Sequence, residues 1–220
     1  MLKRLVDIVL SLLGLALFFP FGLVISLILR FTGEGEVFYR QPRVGKGGRT
    51  FGLLKFATML KDSPNLGTGL LTIKDDPRVL PLGRLLRKTK LNEVPQLLNI
   101  LLGDMSIIGP RPQAVPHFML FPEHMRGQIV KVKPGLSGIG SIVFRDEENM
   151  LGRSGKSHAE TYAQDIAWYK GELEVWYVKH QSLWIDFLLF LLTIQVVIFP
   201  NSNLLFRLFK DLPRNPLYAA

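Results

Sequence analysis

The chain has 220 residues, is 48% hydrophobic and carries 27 Lys and Arg against 18 Asp and Glu, a net charge of +9. Setting aside about 30 residues of apolar sequence at the start leaves enough for one compact domain, and the positive balance calls for an anionic partner. Cysteine is absent, which excludes disulfides and thiolate chemistry.

Ile8 to Leu29 is an uncharged run of 22 residues with Pro20 at its middle. As a helix rising ~1.5 Å per residue it reaches ~33 Å, enough for a hydrocarbon core of ~30 Å. Basic residues lie outside both ends: Lys3 and Arg4 before it, and Arg30, Arg40, Arg43, Lys46 and Arg49 after it. Lys and Arg favour the cytoplasmic side of a membrane, so a spanning helix satisfies one end only. A re-entrant helix turning at Phe19-Pro20-Phe21-Gly22 satisfies both, because Pro20 removes a backbone donor and crowds the preceding turn. At this point both arrangements stand. The re-entrant one needs cover for the freed backbone groups, and Ser26 and Ser11 are the nearby polar side chains. A cleaved secretory signal fits poorly, since the run exceeds an apolar core of ~7–15 residues and no small-residue cleavage site is evident.

Glu36 to Gln41 and Thr50 to Phe56 read as two short strands, joined by the basic, turn-rich Pro42 to Arg49, which predicts a hairpin. Ser63 to Pro77, rich in Gly, Pro, Asn and Asp, reads as a loop, and a helix is expected over Leu80 to Lys88. The next helix start has Asn92 as a good N-cap, Glu93 in a first turn that favours negative charge, and Pro95 where an amide is dispensable. Leu97, Leu98, Leu101 and Leu102 supply its expected buried face. Gly103 to Pro112 and Lys133 to Gly138 read as constrained turns, Pro116 to Val132 as partly helical, and Ala159 to Val178 as an amphipathic helix. Phe187 to Phe199 is a second apolar run; at ~20 Å as a helix it is too short to span. Core helix and membrane-surface helix both fit it, with Trp176, Tyr177 and Trp184 favouring the interface.

The order of the proline-broken apolar helix, Lys55-Phe56-x-Thr58-Met59, Leu91-x-Glu93-Val94-Pro95-Gln96-Leu97, Gly103-Asp104-Met105-Ser106, Gly109-Pro110-Arg111-Pro112 and Lys133-Pro134-Gly135 resembles the bacterial sugar transferases, the small monotopic phosphoglycosyl transferases. The resemblance runs from about residue 3 to residue 200. It implies an enzyme moving a sugar-1-phosphate from a UDP-sugar to undecaprenyl phosphate, with release of UMP, at the cytoplasmic face of the bacterial inner membrane. It also implies the re-entrant form of the first helix, broken at Pro20. The expected fold is therefore α+β and α-rich: a re-entrant helix over residues 1–31, one cytoplasmic catalytic domain over 32–200 with a short β-hairpin and an interfacial C-terminal helix, and a tail over 201–220. Membrane lipid is an expected partner; nucleic acid is not, because aromatics do not interleave with the cations. Oligomeric state is not legible.

Phosphoryl transfer needs anionic charge held by cations and reacting oxygens held in line. Under the resemblance, Glu93 holds Mg²⁺, a hard ion that prefers oxygen ligands, while Lys55, Arg87 and Arg111 bind phosphate. Each residue also has a plainer reading. Asn92 and Glu93 suit a helix cap, Arg87 and Lys88 an exposed basic face, Arg111 a local ion pair, and Met59 and Met105 core filling. Three positions depart from the family pattern: Asn92 where the family has a nucleophilic Asp, Ala57 where a basic residue is common, and Ile139 to Glu148 in place of an aromatic and Gln-Val-Asn-Gly-Arg segment. A neutral amide is a poor nucleophile, so three routes are open: attack by Glu93, a contribution from Asp146-Glu147-Glu148, or direct attack by the polyprenyl phosphate. The rivals are a catalytically inactive homologue and a membrane scaffold, both of which bind without turnover.

Overall fold

A computed structural model describes residues 1–147, 150, 157–200 and 202–215. Its first element, α1 (Leu2–Phe31), is one continuous helix with Pro20 inside it, long and apolar enough by length and composition to cross a membrane. The expected break at Pro20 does not end the helix. Of the two expected covering side chains, Ser26 Oγ donates to the carbonyl of Gly22, within the expected apex (2.7 Å), whereas Ser11 Oγ is buried with no partner among the described residues.

Polar groups at the head of α1 fasten it to the rest of the chain. The buried Asp7 carboxylate accepts from Ser106 Oγ (2.9 Å) and from the Ile107 amide (2.9 Å). Arg4 donates to the Ile100 and Leu101 carbonyls at the end of a helix, where a cation meets unpaired acceptors. Lys3 bonds the Ile108 carbonyl (2.9 Å) and Asp186 (2.5 Å). Farther along, Gly14 lets Leu97 approach, since a Cβ there would lie 3.0 Å from it. Leu29 closes the other end against Phe56 and Leu86. Most other apolar side chains of α1 remain exposed.

Strands β1 (Phe38–Val44) and β2 (Thr50–Phe56) form the expected antiparallel hairpin, with Phe38 opposite Phe56 and Val44 opposite Thr50. β1 runs on through Pro42, which sits opposite Gly52 on this two-stranded edge. After a loop comes α2 (Pro81–Lys88), as expected, and a left-handed Lys90 (φ 61°) turns the chain into a 3₁₀ turn, Leu91–Glu93, that leads into α3 (Gln96–Leu102). Asn92 is therefore inside a helical turn and makes no cap: Lys90 occupies that position, and its left-handed backbone moves the start two residues upstream. Asn99 on α3 accepts from the Leu54 amide and donates to the Gly52 carbonyl, both at 2.9 Å, which pins β2 against this segment. That contact turns Leu97, Asn99 and Ile100 inward, so of the expected buried face Leu98 and Leu102 are exposed instead.

The two turns read at Gly103 to Pro112 and Lys133 to Gly138 contain strands. β3 (Ser106–Ile108) and β4 (Gly135–Ser137) pair in parallel, Ser106 with Gly135 and Ile108 with Ser137. The pairing needs bare backbone, since a Cβ on Gly135 would lie 2.1 Å from the Gly109 nitrogen. Between these strands lie α4 (Val115–Met119) and α5 (Glu123–Ile129), and after them α6 (Ile139–Val143). The helix expected near Ala159 to Val178 starts as α7 (His158–Thr161) with a Ser157 capping box, widens to a π turn at Tyr162–Ile166 and continues as α8 (Ala167–His180).

The main core joins Phe118, Phe121 and Met125 to Ile166, Leu173 and Tyr177 of this long element. It also takes in Leu189, Leu192 and Val196 from α9 (Leu183–Ile198), and Leu205, Phe209 and Leu212 from and beyond α10 (Leu204–Leu208). Each such side chain contributes roughly 1.5–3 kcal/mol on burial. α9 is mostly apolar, apart from Asp186, Thr193 and Gln195, with Trp184, Phe187, Leu191, Ile194 and Val197 left exposed opposite the buried face.

Candidate active site

β2, the 3₁₀ turn and the loop after β3 converge on one open cleft of 1490 Å³, larger than the ~300–1,000 Å³ of a common small-ligand pocket. Lys55, Arg87, Asn92, Glu93 and Arg111 all line it. Glu93 Oε1 lies 3.8 Å from Lys55 Nζ and 3.4 Å from Arg111 Nη2. Arg87 stands farther round, with a guanidinium nitrogen 3.7 Å from Met59 Sδ.

Two residues not singled out in the sequence complete the arrangement. Arg43 shares a face of β1 with Gln41, whose Oε1 accepts from it at 2.6 and 3.2 Å, and donates to the Pro112 carbonyl (3.2 Å). Glu174 on α8 reaches under the Arg111 loop, and its Oε1 accepts from the Arg111 amide (3.0 Å). Gly140 allows this, because a Cβ there would lie 2.2 Å from Glu174 Oε1. Strand periodicity around Gln41 and Arg43 was a usable signal; for Glu174, one acid in a helix, the sequence offered none.

Electrostatics set the protonation states. Burial pushes Glu93 up, but Arg111, Lys55 and Lys90 outweigh it and hold the carboxyl at about 2. Burial lowers Lys55 to about 7, with Glu93 opposing and Arg43, Arg111 and Arg87 reinforcing the shift. Burial and Arg111 bring Arg43 down to about 10. Glu174 is raised to about 7 by burial, against the bond from the Arg111 amide. One firmly ionised acid thus sits among several cations, leaving an excess of positive charge fixed by buried contacts. Such a cradle holds a polyanion and stabilises charge that develops on it.

Asn92 is buried at the cleft, and its Oδ1 has no hydrogen-bond partner among the described residues. Asp146 and Glu147 also line the cleft, Glu147 paired with Lys170 (2.8 Å); Glu148 lies outside the described residues. Among the described residues no group of three or more His, Cys, Asp or Glu gathers as a metal cluster.

Residues 1–200 match the family described as bacterial sugar transferase. The chain is 35% identical over 195 residues to a UDP-glucose:undecaprenyl-phosphate glucose-1-phosphate transferase of Klebsiella pneumoniae, covering 87% of this chain and 39% of that one. It is 33% identical over 201 residues to a UDP-N-acetylgalactosamine-undecaprenyl-phosphate N-acetylgalactosaminephosphotransferase of Aeromonas hydrophila, covering 90% and 44%. With the exopolysaccharide production protein ExoY of Rhizobium meliloti it shares 32% identity over 211 residues, covering 90% and 85%. The chain thus spans about two fifths of the first two relatives and most of the third. With its motifs drawn into one cationic cleft, the chain belongs to the bacterial sugar transferase family.

Proposed function

We propose that this protein is a phosphoglycosyl transferase that moves a sugar-1-phosphate from a UDP-sugar to undecaprenyl phosphate and releases UMP. The observation that carries the reading is the convergence of Lys55 and Arg111 on Glu93 inside a cleft also lined by Arg87. The cations take the diphosphate, and Arg111, held through its own amide by Glu174, keeps its position as charge shifts between oxygens.

The acceptor phosphate oxygen attacks the phosphorus that bears the sugar. The bond from that phosphorus to the bridging oxygen breaks, and UMP leaves with the bridging oxygen and its electron pair. No covalent enzyme intermediate is needed, which suits Asn92 at the position where the resemblance expects the nucleophile. Glu93, held ionised by its neighbours, keeps the cations aligned.

Mg²⁺ fits the residues present: the Glu93 carboxylate and the unpartnered Asn92 Oδ1 are hard oxygen donors, and Mg²⁺ commonly takes one or two protein ligands and completes its shell with water and substrate phosphate. When bound it supplies further charge neutralisation on the diphosphate.

Both ends of α1 meet the same domain, Lys3 and Asp7 at one end and Leu29 at the other. That supports both ends of α1 lying on one side of the membrane, as the re-entrant form requires, since a spanning helix carries one end away from the domain. The bare apolar faces of α1 and α9 support immersion in lipid, and basic flanks at both ends of α1 favour the cytoplasmic face of the bacterial inner membrane. The test is a screen of UDP-sugars for UMP release by the membrane-embedded protein with undecaprenyl phosphate. Release from at least one donor is expected; binding of donor and lipid without turnover from any of them overturns the reading in favour of an inactive homologue or scaffold.

A further inference from the structure

Beside the cationic cradle the same cleft has a second wall of different character, and the transfer chemistry leaves it unused. It is built from separate elements: Gln113 after the Arg111 loop, His117 on α4, Glu147 after α6, Tyr162 in the π turn and Lys170 on α8, all lining the cleft. Lys170 and Glu147 form a close ion pair (2.8 Å), with Lys170 buried over the faces of Phe144 and Tyr162 at 5.2 Å. Tyr162 donates to Gln113 Oε1 (3.3 Å), which orients the amide; Gln113 is 6% exposed, and its Nε2 has no partner among the described residues. The His117 and Tyr162 rings lie 4.7 Å apart.

The charge of this wall differs from that of its neighbour. Glu147 and Lys170 neutralise each other, and His117 is held neutral because burial, then Arg43 and Lys170, lower it to about 4. What remains is a largely buried polar lining without net charge: an amide with an unpartnered nitrogen, a neutral imidazole, a phenol and a carboxylate, spread over several elements and backed by aromatic rings. A π turn at Tyr162 is a costly local geometry of the kind often found at functional sites. A buried donor left unpaired is costly, and a ligand acceptor recovers that cost.

We propose that the wall formed by Gln113, His117, Tyr162 and the Glu147–Lys170 pair is the subsite for the donor's sugar, next to the cations that take its diphosphate. The proposal rests on the phosphoglycosyl-transfer reading and adds the residues that select the sugar. A pyranose presents hydroxyls in several directions, each both donor and acceptor, and a C–H face that rests on an aromatic ring. A wall of convergent groups from separate elements matches that array better than the single in-plane edge of a uracil. Residues that hydrogen-bond a hydroxyl also reject a donor lacking it at that place.

The test is equilibrium binding of UDP, UDP-glucose, UDP-galactose and their N-acetyl counterparts to the full chain in a membrane mimetic, with UMP release measured in parallel. Wild type is expected to bind at least one UDP-sugar more tightly than UDP. Gln113→Leu and His117→Phe should each weaken that sugar nucleotide ~5-fold or more, about one hydrogen bond, while UDP binding stays within ~2-fold by the same conversion. Their melting temperatures without ligand report folding, so the second variant stands if the first does not fold. Equal weakening of UDP and UDP-sugar assigns the wall to the nucleotide and overturns the proposal, as does no weakening of either. If binding behaves as expected but no donor yields UMP, the subsite stands and the transfer reading falls.

Discussion

Lys55 gives the cleft a pH dependence whose direction follows from its surroundings. Its ammonium is enclosed 3.8 Å from Glu93, and burial outweighs that carboxylate, so it titrates at about 7. Below that pH Lys55 is charged and can take a phosphate oxygen; above it the charge is lost, and at pH 8 about one molecule in ten retains it. With limiting UDP-sugar, kcat/KM reports the free enzyme, so it should fall about tenfold per pH unit between 7.5 and 9. Stability should move the other way. A lysine whose folded value lies below its ordinary 10.5 costs stability when protonated, and that cost is relieved as pH rises from 7 toward 10.5. Loss of activity above pH 7 is therefore separable from unfolding by following the melting temperature across the same range. Lys55→Arg keeps its charge throughout, so its profile should lose the tenfold-per-unit fall and keep only the smaller change that accompanies ionisation of Glu174 near 7, even if its rate is lower. A flat wild-type profile, or the same decline in Lys55→Arg, would refute the reasoning.

Asp7→Ala leaves Ser106 Oγ and the Ile107 amide without their acceptor and should cost about 2–4 kcal/mol; a loss under about 1 kcal/mol in thermal unfolding contradicts the docking of α1 described above. Arg78, 5% exposed, holds the loop before α2 through bonds to the Ser63, Leu66, Gly69 and Leu71 carbonyls and to Asp76. Arg78→Met strands a buried carboxylate and should destabilise by ~3 kcal/mol or more, with faster proteolysis at 63–71; unchanged proteolysis counts against a stapling role. Asn92→Asp supplies the carboxylate that the resemblance expects at this position. Intact mass should then reveal a phospho-sugar adduct absent from wild type, whereas an adduct in neither protein argues that position 92 does not face the diphosphate.

The hairpin, α2 and the long helix before α9 are legible because strand composition around a turn-rich loop and the residue spacing of helices are local signals. Asn92 was misread for a local reason too: a left-handed Lys90 carries no mark in composition, yet it shifts the turn by two residues. The β3–β4 pair escaped notice because three-residue parallel strands are set by a contact between segments about thirty residues apart, and their glycines read as turns. Lys55, Arg87, Asn92, Glu93 and Arg111 stand out in the sequence through an ordered set of motifs, and one cleft is lined by all of them. Arg43, Glu174 and the Gln113–Lys170 wall depend on tertiary packing, which brings together residues that no short motif contains.

The most direct measurement is a single-turnover experiment on the membrane-embedded protein with one competent UDP-sugar, following UMP and intact protein mass with and without undecaprenyl phosphate. Direct transfer in the cationic cleft predicts UMP only when the lipid phosphate is present and an unchanged protein mass at every time point. UMP released without the acceptor, together with a phospho-sugar mass on the enzyme, would contradict it.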